Sequence, residues 1–260
     1  QAKNLVKNGT KEIILIAQDL TYYGLDIYKK RVLSDLLRQM SDIEGLKWIR
    51  LQYAYPSGFP IDVLEVMSQR DNICKYLDMP LQHSSDNMLK IMRRGISNQK
   101  TIELIDTIRQ IMPDLALRTT LITGHPGETE ADFEHLSQFV EQIKFERLGV
   151  FTYSHEEQTH SGSMIETVPE SLKQERAEHL MSIQQQISFD HNQKRIGNIY
   201  KVLIDRVEGD YFIGRTEHDS PEVDNEVLIE KNSQTYLSIG EFYDIKITDA
   251  AEFDLFGCLI

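Results

Sequence analysis

Five short stretches combine side chains that bind polar ligands with residues that bend the backbone: Gln18-Asp-Leu-Thr-Tyr-Tyr-Gly24, Tyr55-Pro-Ser57, Pro80-Leu-Gln-His-Ser84, Gly124-His-Pro-Gly-Glu128 and Ser154-His-Glu-Glu157. The fourth carries the most information. Two glycines permit positive φ or close backbone approach, Pro126 stiffens the turn, and Thr129-Glu-Ala-Asp132 has the form of a helix cap. A ligand could lie against exposed backbone there, facing the donors of a helix N-terminus; a well-capped strand–turn–helix junction would look the same. His83 and His125 could each meet a ligand through a ring nitrogen or simply hydrogen-bond their own loop. His155 and His160, with Glu156 and Glu157, sit in a loop that fixes no ligand geometry, so an exposed polar loop is expected rather than a metal centre. Lys90, Arg93 and Arg94 most simply complement a helix dipole. There is no phosphate-binding loop, nucleophile elbow or convincing Ser–His–Asp order.

Each stretch follows a run expected to be a strand: Glu12 to Ala17, Trp48 to Tyr53, Lys75 to Met79, Leu115 to Thr123 and Leu148 to Tyr153. Polarity mostly does not alternate along these runs, as for strands buried on both faces. Between them lie helices with apolar residues at three- and four-residue spacing, such as Val32, Leu33, Leu36, Leu37 and Met40, or Ile102, Ile105, Ile108 and Ile111 with Pro113 closing the run. Leu5 and Val6 before Gly9 read as the last turns of a helix that starts earlier. The alternation predicts a parallel α/β sheet with functional groups at the carboxyl ends of its strands. Five strands and no clear sixth argue against a complete eight-stranded barrel. Thr167-Val-Pro-Glu170 has capping-box spacing with Pro169 in the first turn, and opens a long helix expected to run to about Lys194, with Gly197 as its stop signal. Beyond it, Tyr200, Val202 and Ile204, then Tyr243, Ile245 and Ile247, alternate with polar residues, and Glu208-Gly-Asp210 marks a hairpin turn before Tyr211 to Thr216. The fold class is therefore α/β: a partial parallel α/β barrel over residues 1–195, then a small antiparallel β-barrel over 196–260.

The 260 residues carry 28 Lys and Arg against 41 Asp and Glu, a formal charge of −13, so the whole chain is a poor polyanion binder. The longest apolar run, Ile13 to Ala17, is far short of the roughly 20 residues that span a bilayer, and no basic-then-apolar start suggests a secretory signal. Cys74 and Cys258 define neither a disulfide framework nor a metal motif, which fits a reducing cytoplasm.

Taken together, the motifs resemble those of the radical S-adenosylmethionine methylthiotransferases. The resemblance rests on Gln18-Asp-Leu-Thr-Tyr-Tyr-Gly24, Tyr76-Leu-Asp-Met-Pro-Leu-Gln-His-Ser84, Met92-Arg-Arg94, Leu117-Arg-Thr-Thr-Leu-Ile-Thr-Gly-His-Pro-Gly-Glu128 and Phe151-Thr-Tyr-Ser-His-Glu-Glu157. The C-terminal region is similar to a TRAM domain through Gly214-Arg-Thr-Glu-His-Asp-Ser-Pro-Glu-Val-Asp224. It implies a partial α/β barrel with S-adenosylmethionine above its strand ends. Carried over position by position, Gln18 and Asp19 would face the cofactor's amino-acid portion, and Gln82, His83 and Ser84 its ribose or the substrate. Arg118 and Thr120 would point into the barrel mouth. Gly124, Pro126, Gly127 and Glu128, with Thr152, Tyr153 and Ser154, would flank the adenine. The family also uses two 4Fe–4S clusters and an electron donor, the first cluster held by a Cys-x-x-x-Cys-x-x-Cys loop. This sequence has no such loop, so it is expected to be a catalytically incomplete piece of a longer enzyme, holding no cluster or metal of its own.

The family divides between enzymes that modify tRNA and one that modifies an aspartate in the twelfth protein of the small ribosomal subunit. From Ile196 onward, five Lys and Arg face fourteen Asp and Glu. A TRAM domain that tracks tRNA should offer cations to phosphates; an acidic one suits a basic ribosomal protein, so nucleic acid is disfavoured as a partner. The expectation is methylthiolation of an aspartate β-carbon in that protein, in the cytoplasm. A tRNA adenosine methylthiotransferase and a non-catalytic docking module remain the alternatives.

Overall fold

The computed structural model describes residues 1–231 and 236–260. Its first layer runs α1 (Ala2–Lys7), β1 (Glu12–Ile16), α2 (Leu25–Tyr28), α3 (Leu33–Ser41), β2 (Trp48–Gln52), α4 (Ile61–Gln69), β3 (Ile73–Asp78), α5 (Asp86–Ile91), α6 (Asn98–Ile111), β4 (Ala116–Thr123), α7 (Glu130–Ile143) and β5 (Arg147–Thr152). The five strands form one parallel sheet in the order β1-β2-β3-β4-β5. Sequential parallel neighbours joined by helices are the arrangement that βα alternation demands. The third strand begins at Ile73, two residues before the expected Lys75, because Ile73 and Cys74 are buried and extend its pairing.

The two faces of the sheet are buried by different partners. Ile49, Leu51, Ile73, Leu77, Leu117 and Leu121 turn toward the helices and form the main core with Leu37, Val63, Ile105, Ile108, Leu136 and Phe145. The opposite face carries Trp48, Arg50, Tyr76, Asp78, Arg118 and Arg147. It is covered by the second module, which follows the 24-residue α8 (Glu170–Gln193).

That module is a closed five-stranded barrel of β6 (Ile199–Glu208), β7 (Tyr211–Arg215), β8 (Glu226–Glu230), β9 (Phe242–Ala250) and β10 (Asp254–Leu259), in the order β10-β8-β7-β6-β9. The β6–β7 hairpin turns at Gly209-Asp210 as expected. The barrel is antiparallel as expected except at one pair: β8 and β10 run parallel. A ring with an odd number of strands cannot alternate direction all the way round, so one pair must run the same way.

A correction concerns the start of α8. Its N-cap is Pro169, without a side-chain cap, and the helix starts at Glu170. Thr167 lies outside the helix, where its Oγ1 accepts the Gly127 N–H at 3.2 Å. The capping-box spacing at Thr129 is real: Thr129 and Asp132 satisfy one another's backbone N–H groups at the start of α7.

The modules interlock through charge. Arg50, fully buried, bonds Glu12 Oε1 through Nε at 3.0 Å and the Glu217 carbonyl through Nη1 at 2.7 Å. Arg215 reaches across from β7 to the same Glu12. Arg147 donates to Asp219 Oδ1 from Nε at 2.8 Å and from Nη2 at 2.5 Å. Arg118 lies between Asp78, at 3.0 Å, and Asp224, at 3.3 Å. The apolar part of this seam is Trp48, Cys74, Tyr76 and Ala116 against Leu203 and Phe242, with Trp48 and Phe242 edge to face at 4.7 Å. No helix among the described residues is long and apolar enough to cross a membrane.

Candidate active site at the strand ends

A cavity of about 350 Å³ opens toward the carboxyl ends of the strands, lined by Gln18, Tyr53, Ala54, Tyr55, Pro80, Gln82, Arg94, Arg118, Thr120, Phe151 and Val223. Every strand of the sheet contributes: β1, β2, β3 and β5 from their ends or the loops after them, β4 through Arg118 and Thr120 in its middle, and Val223 comes from the second module. Concave sites of this size with a few convergent polar groups are the usual form of a small-molecule site.

Two lining residues hold backbone conformations that L-residues rarely adopt. Gln82 has φ 72° and Tyr53 has φ 63°. Gln82 is fixed there by a two-sided bridge to β4: its N–H bonds the Thr120 carbonyl at 2.9 Å, and its carbonyl accepts from Ile122 N at 2.8 Å. Tyr53 N–H is held by Asp78 Oδ2 at 3.2 Å. Such strain persists only where surrounding bonds over-determine it, and it concentrates at functional sites. The Gln82 Oε1 is buried without a hydrogen-bond partner, on a residue that lines the cavity. Phe151, 61% exposed, and Tyr53 offer aromatic surface beside it.

The sequence-predicted residues divide into wall and frame. Gln18, Gln82, Arg118 and Thr120 line the cavity. Asp19 caps the short helical turn after β1: its Oδ1 accepts from Thr21 N at 2.8 Å and Tyr55 N at 3.3 Å, tying the β1 and β2 loops together. The structure does not bring His83, Ser84, Gly124, Pro126, Gly127, Glu128, Thr152, Tyr153 or Ser154 into the lining. His83 Nδ1 accepts from the amides of Ser84, at 2.9 Å, and Ser85, at 3.0 Å, because the loop turns back on its own ring before α5. Ser84 Oγ meets His135 Nδ1 at 2.9 Å. Glu128 folds back so that Oε2 accepts the Gly124 N–H at 2.8 Å, while Oε1 takes Arg176 Nη1 of α8 at 2.6 Å. His125 donates from Nδ1 to the Pro126 carbonyl at 2.9 Å, and packs edge to face on Tyr153 with ring centroids 5.0 Å apart. Thr152 is the last residue of β5, paired with Thr123, and Ser154 is exposed. His155 and His160 are exposed, and no metal-competent His, Cys, Asp and Glu group exists among the described residues.

Three features of this frame have electrostatic consequences. Burial lowers the pKa of His83 to about 3, so it is neutral and its Nε2, 3.8 Å from Glu128, forms no ion pair. Burial raises the Glu128 pKa against the pull of Gly124 N–H and Arg176. Burial opposes ionisation of Asp132 as well, but bonds from Ser85, Thr129 and Asn87 prevail and hold its pKa at about 2.

A pH dependence follows for His83. Its folded pKa lies below its unfolded value of 6.5, so between those pH values the unfolded chain binds more protons. The stability contributed by neutral His83 is complete above pH 6.5 and declines as pH falls toward 3, by up to about 1.4 kcal/mol per pH unit. Urea unfolding from pH 7 to 4 should show a steeper loss for the native protein than for His83→Gln; equal slopes would contradict this.

Sequence reasoning placed Tyr55 and Pro80 in strand-end stretches without assigning them a ligand, and did not single out Tyr53, Ala54, Arg94, Phe151 or Val223 as lining residues. Arg94 is the main correction: it does not sit on the end of α5 to complement a dipole. Its guanidinium turns back over the Tyr55 ring, with Cζ 4.4 Å from the centroid, and Nη2 bonds the Pro80 carbonyl at 2.5 Å. An Arg followed by Gly95, at φ 65°, is a signal that the chain reverses there.

A radical SAM superfamily profile matches residues 1–140, and a TRAM domain profile matches residues 196–260. The chain is 66% identical over 260 residues to the ribosomal protein uS12 methylthiotransferase RimO of Cytophaga hutchinsonii, covering 100% of this chain and 59% of that protein. It is 57% identical over 257 residues to the protein of the same name from Christiangramia forsetii, covering 99% of this chain and 57% of that protein. The chain thus spans less than two thirds of the length of these relatives. Among solved structures, coproporphyrinogen III oxidase (HemN) from Escherichia coli, a radical SAM enzyme, superposes with a TM-score of 0.56 at 15% identity, over 72% of this chain and 44% of that one. This likeness concerns the fold alone.

Proposed function

Since this chain belongs to the radical S-adenosylmethionine methylthiotransferase family, we propose that it forms the cofactor-binding barrel and TRAM domain, divided near residue 195, of an enzyme that adds a methylthio group to the β-carbon of an aspartate in ribosomal protein uS12. The observation that carries this reading is the strand-end cavity with an unpartnered acceptor on Gln82 and a cation at Arg94 beside aromatic faces. That set of groups matches S-adenosylmethionine: Gln82 Oε1 would accept from its ammonium or ribose hydroxyls, Arg94 or Gln18 would meet its carboxylate, and Phe151 or Tyr53 would cover the nucleoside. When bound, the cofactor supplies the radical and methyl chemistry. Thr120 and Gln82 orient it from β4 and its bridge, while Pro80, Phe151 and Val223 exclude water. The loop frame of His83, Glu128 and Arg176 keeps these walls in place.

An iron–sulfur cluster does not fit this chain's own thiols. Cys74 is buried in the seam with its pKa pushed up to about 12 by burial, and Cys258 is exposed on β10. A cluster needs three or four converging thiolates.

The acidity of the second module is only partly turned outward. Asp219 and Asp224 are paired with arginines of the sheet, and Asp205 with Arg215. Glu208, Asp210, Glu230, Asp244, Asp249 and Glu252 remain exposed, against exposed Lys201, Arg206 and Lys246. That surface still favours a basic ribosomal protein over tRNA, and the reading places the enzyme in the cytoplasm with its ribosomal substrate.

The test is binding of purified uS12 and bulk tRNA across a salt series, followed by mass analysis of uS12 treated with the longer, cluster-loaded enzyme that contains this chain. Preferential uS12 binding and a methylthio mass gain on one aspartate are expected. Tighter tRNA binding with a steep salt slope, and methylthio transfer to adenosine instead, would overturn the choice of substrate.

A further inference from the structure

Two guanidinium groups line the strand-end cavity, and their situations differ. Arg118 is electrically matched by Asp78 at 3.0 Å and Asp224 at 3.3 Å. Arg94 has no salt bridge among the described residues; Asp19 lies within electrostatic reach, but its Oδ1 is engaged by two backbone amides. The Arg94 Nε is buried without a partner, and only Nη2 has a bond, to the Pro80 carbonyl. The group is nevertheless held firmly. It stacks on Tyr55, and the Tyr55 hydroxyl donates to Arg94's own backbone carbonyl at 2.6 Å, so ring and guanidinium fix each other.

Burial disfavours the charge of Arg94, yet an arginine does not deprotonate in a protein. A pre-oriented, incompletely satisfied guanidinium in a half-apolar cavity is built to receive a planar anion with two oxygens, because the fork of N–H donors matches a carboxylate. Phosphate fits less well, since the cavity offers no second unmatched cation.

We infer that Arg94, positioned by Tyr55, is the carboxylate anchor of this cavity. This rests on the function proposed above, which brings two carboxylates to the mouth: that of the cofactor's amino-acid portion and that of the aspartate to be modified. The anchor fixes whichever it holds with respect to Gln82 and Thr120.

The test measures equilibrium binding by calorimetry in two matched pairs. One pair is S-adenosylmethionine and its decarboxylated analogue; the other is a basic peptide bearing a single aspartate and its asparagine twin. The native chain should bind the carboxylate member of at least one pair about ten- to hundred-fold more tightly. Arg94→Gln should abolish that preference while still binding the neutral twin, and Arg94→Lys, which keeps the charge but not the fork, should retain only part of it. A preference in the first pair assigns the anchor to the cofactor; one in the second assigns it to the substrate. If both preferences survive Arg94→Gln, or the native chain shows none, the anchor is overturned. If the native chain binds no member of either pair, the function reading falls as well and takes the anchor with it.

Discussion

Asp219→Ala is expected to lower the unfolding free energy by about 3–5 kcal/mol, because it leaves Arg147 charged, buried and unpaired at the seam between sheet and β-barrel. Asp219 is fully buried; besides the two bonds from Arg147, its Oδ2 accepts from Thr216 Oγ1 at 2.6 Å. Neighbouring Asp224 raises the Arg147 pKa further, so the guanidinium cannot escape the cost by losing a proton. The loss should be smaller in Asp219→Ala combined with Arg147→Met, because the guanidinium that bonds Asp219 most closely goes with it and only Arg195, 3.7 Å from Asp219 Oδ2, is left without its partner. Urea unfolding of the two variants checks this, and equal losses would show that the pair acts through shape rather than charge. Since the seam joins two modules with separate apolar cores, Asp219→Ala should also separate one unfolding transition into two, seen when tryptophan fluorescence of Trp48 and backbone dichroism no longer coincide.

Gly124→Val should destabilise the protein by about 2–5 kcal/mol, combining a β-branched residue at positive φ with an overlap in a packed region. Gly124 has φ 73°, and a Cβ there would stand 2.1 Å from Lys173 Cγ and 2.9 Å from Lys173 Cβ. Lys173 has little freedom to retreat. Its Nζ reaches the Tyr153 carbonyl at 3.3 Å and Glu166 at 2.9 Å, and its own carbonyl accepts from Thr123 Oγ1 at 3.0 Å. The substitution therefore pushes the end of β4 away from α8, and under the function proposed above S-adenosylmethionine affinity should fall at least tenfold with it. The control is Gly124→Ala with and without Lys173→Ala: the overlap with Lys173 Cγ is relieved in the double variant, while the 2.9 Å contact with its Cβ and the conformational share are not. An unchanged melting midpoint in Gly124→Val would mean that the turn is not held as described.

The five parallel strands, the α7 cap at Thr129, the β6–β7 hairpin and the loops at the strand ends were legible in the sequence because each depends on residues within a few positions of one another. Apolar spacing sets the period, glycine and proline mark the reversals, and a capping pair reads across three residues. The resemblance to the methylthiotransferases and TRAM domains rests on the same local motifs.

Long-range pairing decided the rest. The sheet strands read as buried on both faces, but nothing local indicates that one face is held by aliphatic packing and the other by Arg50, Arg118 and Arg147 reaching acids of the β-barrel. Asp219 lies 72 positions from its partner and Asp224 lies 106 from Arg118, so in sequence both count only as negative charge; folding turns them inward. The same holds for Thr167, whose spacing suited a cap but whose hydroxyl serves Gly127. Arg94 read as a helix-end cation until the reversal at Gly95 laid it over Tyr55. Composition determines how much charge a chain carries. Only the tertiary structure decides which charges meet, because Coulomb energy depends on distance in space and on burial, and neither is written along the chain.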